Sequence, residues 1–182
     1  TGVGSKGSVV RLPKSLTSLN LKDCVKLTNV IPAGPMDELT QLNLSGLKKL
    51  KHLEPDLLVS DKLISLDLKY CVELRELPNV SKLTSLKSVS LAGCSKLARL
   101  PDGFCNLMML ASLDLQYCER ITELPKDLGD LRELRSLGLW GCNLLCELPK
   151  SMSRLELLST FDLLCCENLV RCPDLSMLPE LD

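Results

Sequence analysis

Ten cysteines, a single histidine and a glycine-rich start are the parts of this 182-residue chain suited by type to catalysis, metal binding or nucleotide binding. Their spacing argues against all three. One histidine, His52, excludes zinc sites built from three histidines or a His-Glu-x-x-His pair. There is no Cys-x-x-Cys pair, and Cys165-Cys166 with Cys172 lacks the separation of a zinc ligand set. No serine or cysteine is placed for His52 to activate as a nucleophile, so a surface histidine is expected. Gly2-x-Gly4-x-x-Gly7 matches the dinucleotide fingerprint by letter, and Asp23 follows at a suitable distance. That fingerprint must follow a strand and open a helix, whereas only Thr1 precedes it. A phosphate loop ending in Gly-Lys-Ser/Thr is also missing. No residue is therefore assigned to catalysis, a cofactor or a metal, and the chain is not expected to be an enzyme.

The 22 basic and 23 acidic side chains nearly cancel, leaving a net charge of −1. Neither nucleic acid nor an anionic membrane is favoured as a partner by such a balance. Apolar residues at 45% indicate a packed core, and with five aromatics in the chain that core must be aliphatic. No apolar run approaches the roughly 20 residues needed to cross a bilayer. The start lacks both the apolar stretch of a secretory signal and an initiator Met, so an excerpt or a processed chain is expected.

What positions all these residues is a repeat. Leucines at 16, 39, 63, 86, 110, 134, 158 and 181 open near-identical phrases, 23 or 24 residues apart. With that leucine as position 1, position 6 is leucine in seven phrases, from Leu21 to Leu163. Position 4 is Leu19, Leu42, Leu66, Val89, Leu113, Leu137 and Phe161, and position 12 is Leu or Ile throughout. Position 9 is Cys24, Leu47, Cys71, Cys94, Cys118, Cys142 and Cys166. Position 15 is followed by Pro78, Pro101, Pro125, Pro149 and Pro173 in the last five repeats.

Positions 3 to 7 alternate polar and apolar, as in Ser65-Leu66-Asp67-Leu68-Lys69, which is the period of a half-buried strand. One unit cannot bury its own leucines, so units must stack into a parallel sheet with strands about 4.8 Å apart. Seven strands then span roughly 30 Å. The return path carries two inward residues, six and three before the next position 1, such as Leu128 and Leu131 or Met152 and Leu155. That spacing suits a short helix or 3₁₀ turn. The fold class is an α/β solenoid, a horseshoe with the sheet on its concave face and short helical or irregular returns. Residues 1–8 form a flexible N-terminal segment and residues 9–182 the repeat domain, with about seven full repeats and partial ones at both ends.

The phrase L-x-x-L-x-L-x-x-C-x-x-L-x-x-L-P resembles the leucine-rich repeat over residues 9–182, in the form found in plant intracellular nucleotide-binding immune receptors (disease-resistance proteins). Cys at position 9 and Leu-Pro at 15 and 16 carry the plant likeness; Leu47, Cys172 and the displaced prolines of the first two repeats depart from it. The resemblance implies a protein-recognition module, the ligand-sensing or autoinhibitory region of a cytoplasmic or nuclear receptor. Its partner would be a pathogen effector, a guarded host protein or a neighbouring domain of the parent chain, met by a monomer. The alternative is a structural adaptor of the same repeats with no immune role.

The position-9 cysteines are expected to be reduced and buried, filling a small space and donating to backbone carbonyls of neighbouring turns, with all ten thiols shielded until unfolding. Reduced thiols imply cytosol or nucleus. Asn43-Leu44-Ser45 and Asn79-Val80-Ser81 match the glycan acceptor pattern, a coincidence in that compartment. Positions 3, 5, 7 and 8 are expected to point out from the sheet, with positions 3 and 5 a solvated polar ladder. The partner-binding candidates are Lys22, Lys69, Tyr70, Asp114, Gln116, Tyr117, Trp140, Asp162 and Leu164. Gln116, Trp140 and Leu164 should form one row, with Tyr117 leaning in and the Trp140 indole exposed. Exposed aromatics on a rigid face commonly anchor interfaces, though tyrosines at position 8 alternatively just cover a neighbouring rung.

Overall fold

Each position 3–5 triplet forms a strand in the computed structural model, which describes residues 8–101, 103–176 and 178–180. These strands are β2 (Ser18–Asn20), β4 (Gln41–Asn43), β5 (Ser65–Asp67), β6 (Ser88–Ser90), β7 (Ser112–Asp114), β8 (Ser136–Gly138) and β9 (Thr160–Asp162). They form one parallel sheet in chain order, β2-β4-β5-β6-β7-β8-β9. The shared phrase holds the register without a slip, the 23- or 24-residue difference being taken up in the return path, so Leu42 faces Leu66 and Leu113 faces Leu137. The ladder runs on past the strands. Position 6 N–H donates to the position 5 carbonyl of the next repeat, and position 8 N–H to its position 7 carbonyl, as in Tyr117 N to Trp140 O at 2.7 Å.

The inward leucines stack into a single continuous core. Leu63, Leu68, Leu74, Leu110, Leu115, Leu134, Leu139 and Leu145 are fully buried. The first and last repeats, packed on one side, leave Leu21 and Leu163 half-buried. Return segments carry 3₁₀ turns at Pro55–Leu57, Phe104–Asn106, Leu128–Asp130 and Lys150–Arg154, and are irregular elsewhere. Among the described residues no α-helix occurs; the three-residue inward spacing is met by 3₁₀ turns or by irregular chain, as at Val80 and Leu83. Leu128, Leu131, Met152 and Leu155 all point into the core. Ser60 occupies one such position, and the single proton of its buried hydroxyl is shared between Leu39 O at 2.7 Å and Asp37 O at 2.9 Å, which avoids the cost of an unpaired polar group.

A second, two-stranded parallel sheet was not expected. β1 (Ser8–Leu12) pairs with β3 (Leu27–Pro32), setting Leu12 opposite Pro32 where the repeat alignment matches it to Val30. Val9, Val10, Val30 and Ile31 favour extended backbone here, and proline stands later in the first repeat than in the last five. Ser8, assigned to the N-terminal segment by sequence, opens β1. The glycine fingerprint at 2–7 and Leu181 lie outside the described residues.

Candidate functional site

The solvent face of the seven-stranded sheet is built differently at each position. Position 5 is not a solvated ladder. The side-chain oxygens of Asn20, Asn43, Asp67, Asp114 and Asp162 each accept the N–H two residues on, at 2.9–3.2 Å, and so end the strand. Asp114 and Asp162 are half-buried by this role. Asp114 also accepts from Ser90 Oγ at 3.1 Å and lies 3.7 Å from Lys69 Nζ, which reaches across an intervening rung. Position 7 is mixed: Ser45 and Ala92 are buried, Lys69, Gln116 and Trp140 half-buried, Lys22 and Leu164 exposed. Lys22 sits on the far edge of the sheet from the aromatic residues of repeats five and six.

Position 8 is left-handed in every repeat. Asp23, Tyr70, Tyr117 and Cys165 have φ of 57–59°, and Gly46, Gly93 and Gly141 have φ of 73–76°. The non-glycine residues sit in a region costing of order 1 kcal/mol each. Glycine and larger residues alternate because each larger side chain lies over the following glycine. A Cβ on Gly93 would stand 2.6 Å from the Tyr70 ring, and one on Gly141 2.9 Å from the Tyr117 ring. Asp23 covers Gly46 in the same way. Both tyrosines therefore pack over a neighbour and still present surface, with Tyr70 58% and Tyr117 41% exposed. Three glycines at one repeat position were the sequence signal for this conformation.

Tyr117 and Trp140 come together, ring centroids 5.2 Å apart and tilted at 42°. The indole is half-buried, a correction to its expected exposure, because the Tyr117 ring shields it. Gly141 N donates to Leu164 O at 2.8 Å, so Trp140 and Leu164 occupy adjacent rungs, and Leu164 is 64% exposed. Gln116 folds over Gly138, its side chain 3.1 Å from where a Cβ would be. The face thus offers an aromatic pair, a bare leucine and half-committed carboxylates, and no activated nucleophile. His52 lies exposed off this face, 3.7 Å from Glu76. Among the described residues no three His, Cys, Asp or Glu side chains are grouped to hold a metal, and no helix is long and apolar enough to cross a membrane.

Beneath the face runs the thiol ladder. Sγ of Cys71, Cys94, Cys118, Cys142 and Cys166 donates at 3.2 Å to the position 6 carbonyl of the preceding repeat, namely Leu44, Leu68, Leu91, Leu115 and Leu139. The same carbonyls accept a position 9 N–H of their own repeat, so both lone pairs are used. Burial pushes the thiols up, to about 12 for Cys71 and Cys142, and raises Cys94 and Cys118 as well. All ten cysteines are free, but four are exposed: Cys24, Cys146, Cys165 and Cys172. The expectation of ten shielded thiols is corrected accordingly. Cys24 belongs to the first full repeat, and the other three stand off position 9. A thiol reagent should label these four in the native protein and spare Cys71, Cys94, Cys118 and Cys142 until denaturant is added. Native labelling of Cys118 would mean that the ladder is open.

No protein-family model and no curated protein matches the chain. Among solved structures, the leucine-rich repeat domain of the type III effector XopL aligns over 98% of this chain and 75% of its own, at 22% identity and a TM-score of 0.55. The fold is a leucine-rich-repeat solenoid. The leucine-rich repeat protein LIC12759 of Leptospira interrogans is similar over 82% of this chain at 20% identity and a TM-score of 0.50, and the solenoid spans about half, 49%, of that protein.

Proposed function

We propose that the sheet face of this solenoid is a protein-recognition surface acting without catalysis, centred on Tyr117, Trp140 and Leu164, with Tyr70, Lys69, Gln116, Asp114 and Asp162 around it and Lys22 at its far edge. The observation that carries this reading is the Tyr117–Trp140 pair beside a 64% exposed leucine. Aromatic anchors held in fixed rotamers lose little entropy on binding, which is what interface hot spots require. We further propose that the chain is the sensing or autoinhibitory repeat region of a plant-type intracellular immune receptor, monomeric, in cytosol or nucleus. Position 9 cysteine, the Leu-Pro phrase and a ladder of protonated thiols suited to a reducing compartment support it. A pathogen protein, a guarded host protein or a neighbouring domain fits this role.

The test is a pull-down on the intact chain, then titration of the recovered partner against Trp140→Ala. The variant should bind at least about thirtyfold more weakly, a loss of about 2 kcal/mol. Its own stability should fall by no more than about 1 kcal/mol, from loss of the ring pair. Unchanged affinity with earlier unfolding would make Trp140 a packing residue.

A further inference from the structure

We infer that the edge just after the strands in the first two repeats is a docking surface for an acidic protein segment. Positions 7 to 13 of these repeats read Lys22-Asp23-Cys24-Val25-Lys26-Leu27-Thr28 and Ser45-Gly46-Leu47-Lys48-Lys49-Leu50-Lys51, five lysines against one carboxylate in a chain of net charge −1. All five lysines are exposed, and among the described residues none forms an ion pair. The nearest acids in the next repeat are taken: Glu73 accepts from Lys96 at 2.6 Å, and Glu76 lies 3.7 Å from His52. Asp23 is turned over Gly46.

The repeat register makes this crowding unavoidable. Lys26 and Lys49 both stand at position 11, one rung apart, or about 4.8 Å at the backbone. Both stand in turns just past the strands, where like charges on neighbouring rungs repel, so the fold gains nothing from the arrangement. A bound polyanion would relieve it. The same positions of the last three repeats carry Glu119 and Glu167 against Arg120, so the basic excess does not reach that end. Protein is favoured over nucleic acid because these fourteen positions hold no Phe, Tyr or Trp on which a base could stack. They offer instead an exposed Val25 and aliphatic lysine stems, which suit a mixed acidic and aliphatic peptide.

A labelled peptide of about ten glutamates, long enough at about 3.3 Å per residue to cross several rungs, is the probe. It should bind the intact chain at an ionic strength of about 0.01 M and release towards 1 M, as screening shortens from about 30 Å to about 3 Å. Lys26→Gln/Lys48→Gln/Lys49→Gln should weaken it by roughly tenfold. Lys82→Gln/Lys126→Gln/Lys150→Gln, an equal charge change on the return side, should leave it unchanged, as should Trp140→Ala. Absence of binding, or equal weakening by both triple variants, would overturn the inference. So would tighter binding of a single-stranded oligonucleotide of matched charge, which would reassign the edge to nucleic acid.

Discussion

Leu115→Ala should lower the stability of the solenoid by about 2–5 kcal/mol, read as an earlier midpoint in chemical denaturation at unchanged slope. Leu115 is fully buried, with a complete repeat stacked on each side, so the vacated space cannot collapse from either direction. Its backbone is also a junction. Leu115 O accepts from Cys118 N at 3.0 Å and from Cys142 Sγ at 3.2 Å, and any shift of the backbone to fill the cavity strains both. Lys69→Ala on the opposite face removes only a partly exposed side chain and a 3.7 Å contact to Asp114, and should stay within about 1 kcal/mol. Equal midpoints for the two variants would mean that the strand faces are inverted.

Stability should be indifferent to these thiols below pH 9 and fall steeply above it. Cys71, Cys94, Cys118 and Cys142 are raised by burial from an ordinary value of 9.0, with Cys71 and Cys142 at about 12. Between pH 9 and about 12 the unfolded chain sheds these protons while the folded chain keeps them. The unfolded state then binds fewer protons, so unfolding becomes easier as pH rises. Each thiol costs about 1 kcal/mol per pH unit, and four together on the order of 4 kcal/mol per unit, enough to unfold a domain of this size within two units. Circular dichroism against pH would follow the transition. Replacing all four with serine, which keeps a donor that does not titrate, should flatten the slope; an unchanged slope in that variant would remove the thiols as its cause.

The core was legible in the sequence because a side-chain period of two, repeated every 23 or 24 residues, leaves leucines nowhere to go but inward. Position 9 was legible for a related reason: a small donor recurring just past the strand needs an acceptor, and the preceding rung supplies one. Backbone sign was harder. Tyr70 and Gly93 share a position and a left-handed conformation, yet residue type at tyrosine carries no mark of it. The row of Gln116, Trp140 and Leu164 follows from counting alone, whereas the shielding of the indole depends on the direction in which Tyr117 leaves its rung. Pairing of β1 with β3 was hidden because positions 12 to 16 read as the close of a phrase and not as a strand of their own.

The alternation at position 8 constrains how such a chain can lengthen or shorten over generations. A gene that lost the one repeat between Tyr70 and Tyr117 would bring the two tyrosines onto neighbouring rungs, where each ring occupies the volume into which the other must grow. Gain or loss of two repeats at a time preserves the phase. The heritable unit of this surface is therefore a pair of repeats, and exchange between related genes should leave its crossover points an even number of rungs apart.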